Sequence, residues 1–130
     1  MTRPVVADTD LVIDYLRGKG DGVDAVTRWI GSGQLRLTAV TAYELRVGGD
    51  FLRREHRIAR LLAGRTLPFD AEAALHAGAI WGELAATGQG IGLADTLQAG
   101  IARRFGIPLA TRNTSHFSRV TDLELQPVTG

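Results

Sequence analysis

Apolar runs of strand length recur along this chain, separated by helix-length stretches and never by a two-residue hairpin turn. The runs are residues 4–6 (PVV), 35–40 (LRLTAV), 66–69 (TLPF), 107–111 (IPLAT) and 123–128 (LELQPV). Their length and β-branched content fit strands. Helical spacings lie between them, over residues 11–16, 23–30, 41 onwards, 51–63, 71–87 and 93–105, with 112–119 a polar loop or short helix. Strands joined through helices need crossover connections, so they run parallel. The expectation is an α/β fold, a three-layer α/β/α domain around a mainly parallel five-stranded sheet.

Local signals refine this frame. Gly18 to Gly22, Gly31-Ser32-Gly33 and Gly48-Gly49 punctuate the first half. Thr41-Ala42-Tyr43-Glu44 has the spacing of a capping box, which would start a helix at the end of the second strand. Pro68 places the third strand at a sheet edge. The helix over 71–87 is rich in alanine, with Gly78 and Gly82 allowing close packing and Trp81 expected in the core.

Composition excludes several classes. The chain has no cysteine, which removes disulfides, a thiolate nucleophile and a cysteine-based zinc site. No apolar run approaches the roughly 20 residues of a membrane span, and no secretory signal opens the sequence, so a cytoplasmic protein is expected. At 130 residues the chain reads as one domain, residues 1–130. Net charge is only +1, but six arginines (46, 53, 54, 57, 60 and 65) face two acids, Asp50 and Glu55, between positions 46 and 65. Arg53, Arg57 and Arg60 lie opposite Phe51, Ile58, Leu61 and Leu62 on one helix. That face is either solvated or a surface for an anionic partner.

The chemistry-bearing residues sit where strands stop. Asp8 follows the first strand, Glu44 the second, and Asn113 the fourth; Asp95 lies in the first turn of the helix before the fourth. On a parallel sheet those ends share one edge, where ligands gather. Carboxylates sharing a small volume raise one another's pKa, and a divalent cation removes the conflict. Mg²⁺ and Mn²⁺ favour such oxygen ligands, and a cation so held suits phosphodiester hydrolysis. Singly, each acid also reads as a helix cap or a dipole partner. Asp10 reads as a cap or as support for the site, and Asp14 as solvated or arginine-paired.

Four blocks, VADTDLVID at 6–14, TAYEL at 41–45, LADTLQA at 93–99 and ATRNTSHF at 110–117, resemble the successive motifs of PIN-domain ribonucleases. The resemblance is strongest to the VapC toxins of bacterial type II toxin-antitoxin modules, and it spans nearly the whole chain. It implies a five-stranded parallel sheet, Mg²⁺- or Mn²⁺-dependent endoribonuclease activity, a homodimer, and neutralisation by a VapB-type antitoxin in a heterotetramer or larger assembly, with operator DNA reached only through the antitoxin. Asp8, Glu44 and Asp95 fall on the three main acidic positions, as metal ligands and catalytic residues. Asn113 stands where many members have Asp, and His116 where a further Asp often follows. The lost charge predicts weak metal affinity, a need for high Mg²⁺ or a preference for Mn²⁺; micromolar Mg²⁺ affinity by calorimetry would contradict it.

Substrate contacts are expected from Thr9, Thr111, Arg112 and His116, and from Arg53, Arg57 and Arg60 along an RNA backbone. Thr9 and Thr111 also read as turn and capping residues, and His116 as a surface histidine. Two other readings compete. Asp8-Thr9-Asp10 after a strand also fits aspartyl-phosphate phosphatases, but those need a lysine from a later strand end, and Lys19 is the only lysine. A PIN fold that has lost catalysis and acts through its antitoxin complex is the other. Trp29, Tyr43, Phe51 and Leu52 are possible anchors for an antitoxin segment.

Overall fold

The computed structural model describes residues 2–129, so residues 1 and 130 of the expected domain lie outside the described residues. Strands β1 (Val5–Ala7), β2 (Leu35–Thr38), β3 (Thr66–Leu67), β4 (Leu109–Ala110) and β5 (Leu125–Gln126) form one sheet in the order β3-β2-β1-β4-β5. Every pairing is parallel, with Val5 opposite Leu35, Val6 opposite Leu109, Leu37 opposite Thr66 and Leu109 opposite Leu125. All five expected strands form: β1 is shifted one residue on, to Ala7, and the other four are trimmed at one or both ends. β3 stands at an edge, as Pro68 predicts.

Helices α1 (Thr9–Arg17), α2 (Gly22–Gly31), α3 (Ala39–Val47), α4 (Phe51–Leu62), α5 (Ala71–Ala86), α6 (Leu93–Phe105) and α7 (Thr114–Phe117) fill the connections. Alternation along β1 divides the core. Val5 and Ala7 point to a layer with Leu11, Val12, Val26, Trp29, Ile58 and Leu61, while Val6 points to one with Ile80, Leu84, Ala99, Ala102 and Phe117. A strand apolar on both faces belongs at the centre of such a sheet. Strand order reverses beside β1, whose neighbours are β2 on one side and β4 on the other. The crevice outside the carboxyl ends of β1 and β4 is therefore a topological switch point, the usual ligand position in open α/β sheets.

Three local expectations are corrected. Strand β2 stops at Thr38, whose hydroxyl accepts from Thr41 N at 3.1 Å, so Thr38 rather than Thr41 caps α3. Helix α3 thus begins two residues early, and Glu44 is free of a capping box. Trp81 is 65% exposed, because α5 turns Ala73, Ala77, Ile80 and Leu84 inward instead. Gly78 and Gly82 have open space around them; the close α5–α6 approach is made at Gly100, where a Cβ would come within 2.7 Å of Ala77 Cβ and 2.8 Å of Ala73 O.

Candidate active site

Asp8 leaves the end of β1 and caps α1. Its backbone is extended and its Oδ1 accepts from Thr9 N at 2.8 Å. The bland reading of this residue is thus correct, yet incomplete. Gln98 Nε2 donates to the same oxygen at 2.7 Å, and Thr111 Oγ1 donates to Oδ2 at 2.7 Å. Three donors, from α1, α6 and the end of β4, hold the carboxylate plane. Asp10, two residues on, is exposed and is not the cap.

A chain of hydroxyls runs from there to Glu44. Gln98 Oε1 accepts from Thr38 Oγ1 at 3.0 Å and from Thr41 Oγ1 at 3.1 Å. Thr41 Oγ1 lies 2.8 Å from Thr9 Oγ1, which donates to Glu44 Oε1 at 2.7 Å. The hydroxyl protons of Thr9 and Thr111 are thus committed inside the wall of the site rather than offered to a substrate. A buried polar group without a partner costs about 1–3 kcal/mol, so this network holds together as a unit.

The opposite wall is looser. Asp95, in the first turn of α6, meets His116 Nδ1 across 3.5 Å, and that nitrogen lies 2.8 Å from Asn113 Nδ2. A neutral imidazole accepts there from Asn113; a protonated one turns its Nδ1 proton toward Asp95. Asn113 N donates to Thr111 Oγ1 at 2.9 Å, which ties the α7 side to the β4 end. Burial, then the charge of Asp8, push the Asp95 carboxyl above its ordinary 3.8; the His116 contact pulls back, and Asp10 adds a smaller push.

Among the described residues no three of Asp, Glu, His and Cys stand close enough to hold one ion. Glu44, the third of the expected acids, accepts from the Thr9 hydroxyl on the α1 side. The carboxylates of Asp8 and Asp95 are the donor type that a hard divalent cation would take. Asp8 and Asp95 interact electrostatically, both offer hard oxygens, and the Asn113 carbonyl is a further one. Mg²⁺ and Mn²⁺ accept such sparse protein ligation, keeping water and substrate oxygens in their remaining positions.

Arg112, expected to contact substrate, is engaged by Asp14. Its guanidinium pairs with Asp14, whose other partner is Gly22 N at 3.0 Å. The arginine-paired reading of Asp14 therefore holds. Burial opposes its charge, but the Arg112 and Gly22 hydrogen bonds leave its carboxyl below the usual 3.8. On α4, Arg53 bonds Asp50 at 2.8 Å, and Arg57 donates to Leu16 O at 2.9 Å while its guanidinium lies over Tyr15. Arg60 projects from the same exposed face. Arg54 is folded inward against Leu16 O, with its Nε buried and unpaired. Trp29, offered as an anchor, is buried in the core.

Sequence reasoning missed Gln98, Thr38 and Thr41. The readable signal was Gln98 itself, a polar residue between Leu97 and the small apolar run Ala99-Gly100-Ile101, one turn after Asp95.

A parallel α/β sheet with two carboxylates, Asp8 and Asp95, at its switch point defines a class of domains that gather ligands at that edge. Within it, the family model for the PIN domain matches residues 5–123, and the chain belongs to that family. It is 32% identical over 124 residues to a tRNA(fMet)-specific endonuclease VapC from Shigella flexneri, covering 92% of this chain and 93% of that one. Identity is also 32% over 127 residues to the VapC ribonuclease Y4jK of Sinorhizobium fredii, with 87% and 89% covered. Among solved structures, the chain matches DNA-bound VapBC from Salmonella typhimurium with a TM-score of 0.81, 25% identity, and 98% and 99% of the two chains covered. The VapC branch of the PIN domains is where this chain stands.

Proposed function

We propose that this chain is the ribonuclease toxin of a type II toxin-antitoxin module, acting as one PIN domain, residues 1–130, in the cytoplasm. It hydrolyses RNA phosphodiester bonds with Mg²⁺ or Mn²⁺ and is neutralised by a VapB-type antitoxin. One observation carries the reading: at the switch point of the sheet, the Asp8 carboxylate at the end of β1 is held by Thr9, Thr111 and Gln98, and Gln98 comes from the same helix that carries Asp95 in its first turn. Asp8 and Asp95 would hold the cation, Asn113 would add a carbonyl oxygen, and Glu44 would complete the acidic wall through Thr9. When bound, the cation supplies phosphate neutralisation and an acidified water. His116, beside Asp95, and Arg112 would receive the substrate phosphates, with Arg112 leaving Asp14 to do so. The exposed arginines of α4, Arg53, Arg57 and Arg60, follow the RNA backbone further out.

Two surfaces support the partner assignments. An apolar groove of about 370 Å³ lies between Tyr43, Phe69, Leu93 and Leu97. Tyr43 and Leu93 are 68% and 73% exposed, and a second copy of the chain would bury them in a homodimer. A smaller groove, lined by Leu16, Leu45, Phe51 and Ile58, reaches Glu44. An antitoxin segment with an apolar flank and a basic side chain would lie there and neutralise the acids, as helix-in-groove recognition allows. Operator DNA is reached through the antitoxin.

A second reading, a PIN-fold binding protein weakened in catalysis, draws on Asn113 and on the lack of a three-ligand cluster among the described residues. Cleavage of total RNA by antitoxin-free protein, with Mg²⁺, Mn²⁺ or EDTA and beside Asp8→Ala and Asp95→Asn, separates the two. Discrete fragments that need metal and vanish in both variants are expected. Silence under every metal from a folded protein would leave the binding reading standing. If the α4 arginines carry RNA, Arg53, Arg57 and Arg60 replaced together will flatten the salt dependence of RNA affinity.

A further inference from the structure

We infer that Gln98 is a positioning residue that sets the spacing between Asp8 and Asp95, an inference resting on the metal-dependent ribonuclease reading above. Of the three donors on Asp8, Thr9 N belongs to the helix that Asp8 itself caps, and Thr111 to the neighbouring strand end. Gln98 alone comes from α6, the helix that also carries Asp95. The two residues are three apart, which places them about 4.5 Å apart along the helix axis and on adjacent faces. The 2.7 Å bond from Gln98 Nε2 to Asp8 Oδ1 therefore fixes α6, and Asp95 with it, relative to β1.

The amide can serve in one orientation only. Thr38 and Thr41 both present hydroxyls to Oε1, and Asp8 presents a carboxylate oxygen to Nε2. Turning the amide over would set the Gln98 carbonyl against the Asp8 carboxylate, with no proton between them. Gln98 is 2% exposed, so water cannot replace either set of partners. This anchored orientation distinguishes a strut from a side chain that merely fills space. The same hydroxyls lead on to Thr9 and Glu44, so one amide registers all three acidic residues.

Repulsion between Asp8 and Asp95 would, without such a strut, let α6 drift and widen the gap a cation must bridge. Loss of partners that orient metal ligands typically costs 10- to 100-fold in metal affinity or activity. Gln98→Met keeps the length and removes every hydrogen bond. Its Mn²⁺ affinity by calorimetry is expected to fall 10- to 100-fold, with kcat falling and KM for RNA nearly unchanged, while metal-free unfolding stays cooperative. In unmodified protein, the Gln98 side-chain amide resonance should exchange slowly and shift on Mg²⁺ addition; this readout needs no variant to fold. Wild-type Mn²⁺ affinity and kcat in Gln98→Met, with only a lower melting temperature, would overturn the inference. So would a Gln98 amide signal that ignores Mg²⁺ while the Asp95 and Asn113 backbone signals move. Failure of the unmodified protein to bind Mn²⁺ or cleave RNA would instead bring down the ribonuclease reading and this inference with it.

Discussion

The two walls of the candidate site are built by opposite means. On the β1 side, Asp8, Thr9, Thr38, Thr41, Gln98 and Thr111 are buried, and their polar atoms are joined by bonds of 2.7 to 3.4 Å. On the α7 side, Asp95 and His116 keep side chains 31% and 40% exposed and face each other across 3.5 Å. One wall is core that happens to end in a carboxylate; the other carries, at a surface, a carboxyl whose charged form is disfavoured by burial and by Asp8. The difference teaches which residues the fold itself needs and which only a ligand explains. A satisfied network stabilises the empty protein, whereas a carboxylate pressed by burial and by Asp8 destabilises it until something cationic arrives.

Replacing one carboxylate on each wall tests that contrast most severely. Asp8→Ala and Asp95→Asn are both expected to abolish metal-dependent RNA cleavage, yet only Asp8→Ala to destabilise the fold. Asp8→Ala removes an N-cap worth about 1 kcal/mol and strands the Gln98 and Thr111 donors at about 1–3 kcal/mol each, for a total loss of about 3–7 kcal/mol. Asp95→Asn keeps the shape and discharges the strained group, so metal-free unfolding in denaturant should be unchanged or slightly more costly than in the unmodified protein. A large destabilisation by Asp95→Asn would show that the α7 wall is structural as well.

Metal should erase the contrast. Mn²⁺ at 100 times its dissociation constant adds about 2.7 kcal/mol of linkage to any protein that binds it only when folded. The unmodified chain is expected to gain that amount in denaturant titrations, and Asp95→Asn to gain almost none. If both gain equally, the cation sits elsewhere and Asp95 is not one of its ligands.

How much of this was legible in the sequence depends on the physics behind each part. Alternating apolar runs and helical spacings are local, periodic signals, so all five strands, the parallel topology and the positions of Asp8, Asp95 and Asn113 could be read from them. Trp81 went wrong because apolar character predicts burial on average, while α5 had small residues enough to pack α6 without it. Gly100 was passed over for Gly78 and Gly82 because which face of an alanine-rich helix pair touches is decided by the partner helix, which no single stretch encodes. Gln98 and Thr41 were missed for a related reason: their partners are 90 and 32 residues away, on Asp8 and Thr9.

Gly100 gives the next test, because it seats the helix that carries both Gln98 and Asp95. Gly100→Ala drives a Cβ into Ala77 and the Ala73 carbonyl. Overpacking of that kind costs about 1–3 kcal/mol, and the gain in helix propensity returns about 1 kcal/mol. A net loss of up to about 2 kcal/mol is expected by chemical denaturation, with α6 displaced enough to lengthen the Gln98–Asp8 bond. Mn²⁺ affinity should therefore weaken in step with stability. An affinity that holds while stability falls would mean that the two walls are not coupled through α6.

The smallest effect is also the most specific, because it reverses sign between two carboxylates. Asp95 has a folded pKa above 3.8, so the folded protein binds its proton more readily than the unfolded chain does. Its contribution is fully present below 3.8 and is lost as pH rises through the raised value, which makes the metal-free fold relatively weaker toward neutrality. Asp14 is the reverse. Opposed by burial but held by Arg112 and Gly22, its carboxyl lies below 3.8, so its contribution is present above 3.8 and is lost as pH falls through the lowered value. Stability of the unmodified protein minus that of Asp95→Asn should thus decline as pH rises above 3.8, and minus that of Asp14→Asn should decline as pH drops below 3.8. Metal must be chelated throughout, because a bound cation would favour the ionised Asp95 and flatten the first curve. Parallel curves would mean that both acids respond to the net charge of the molecule, and that the strain assigned to Asp95 is not local to the pocket.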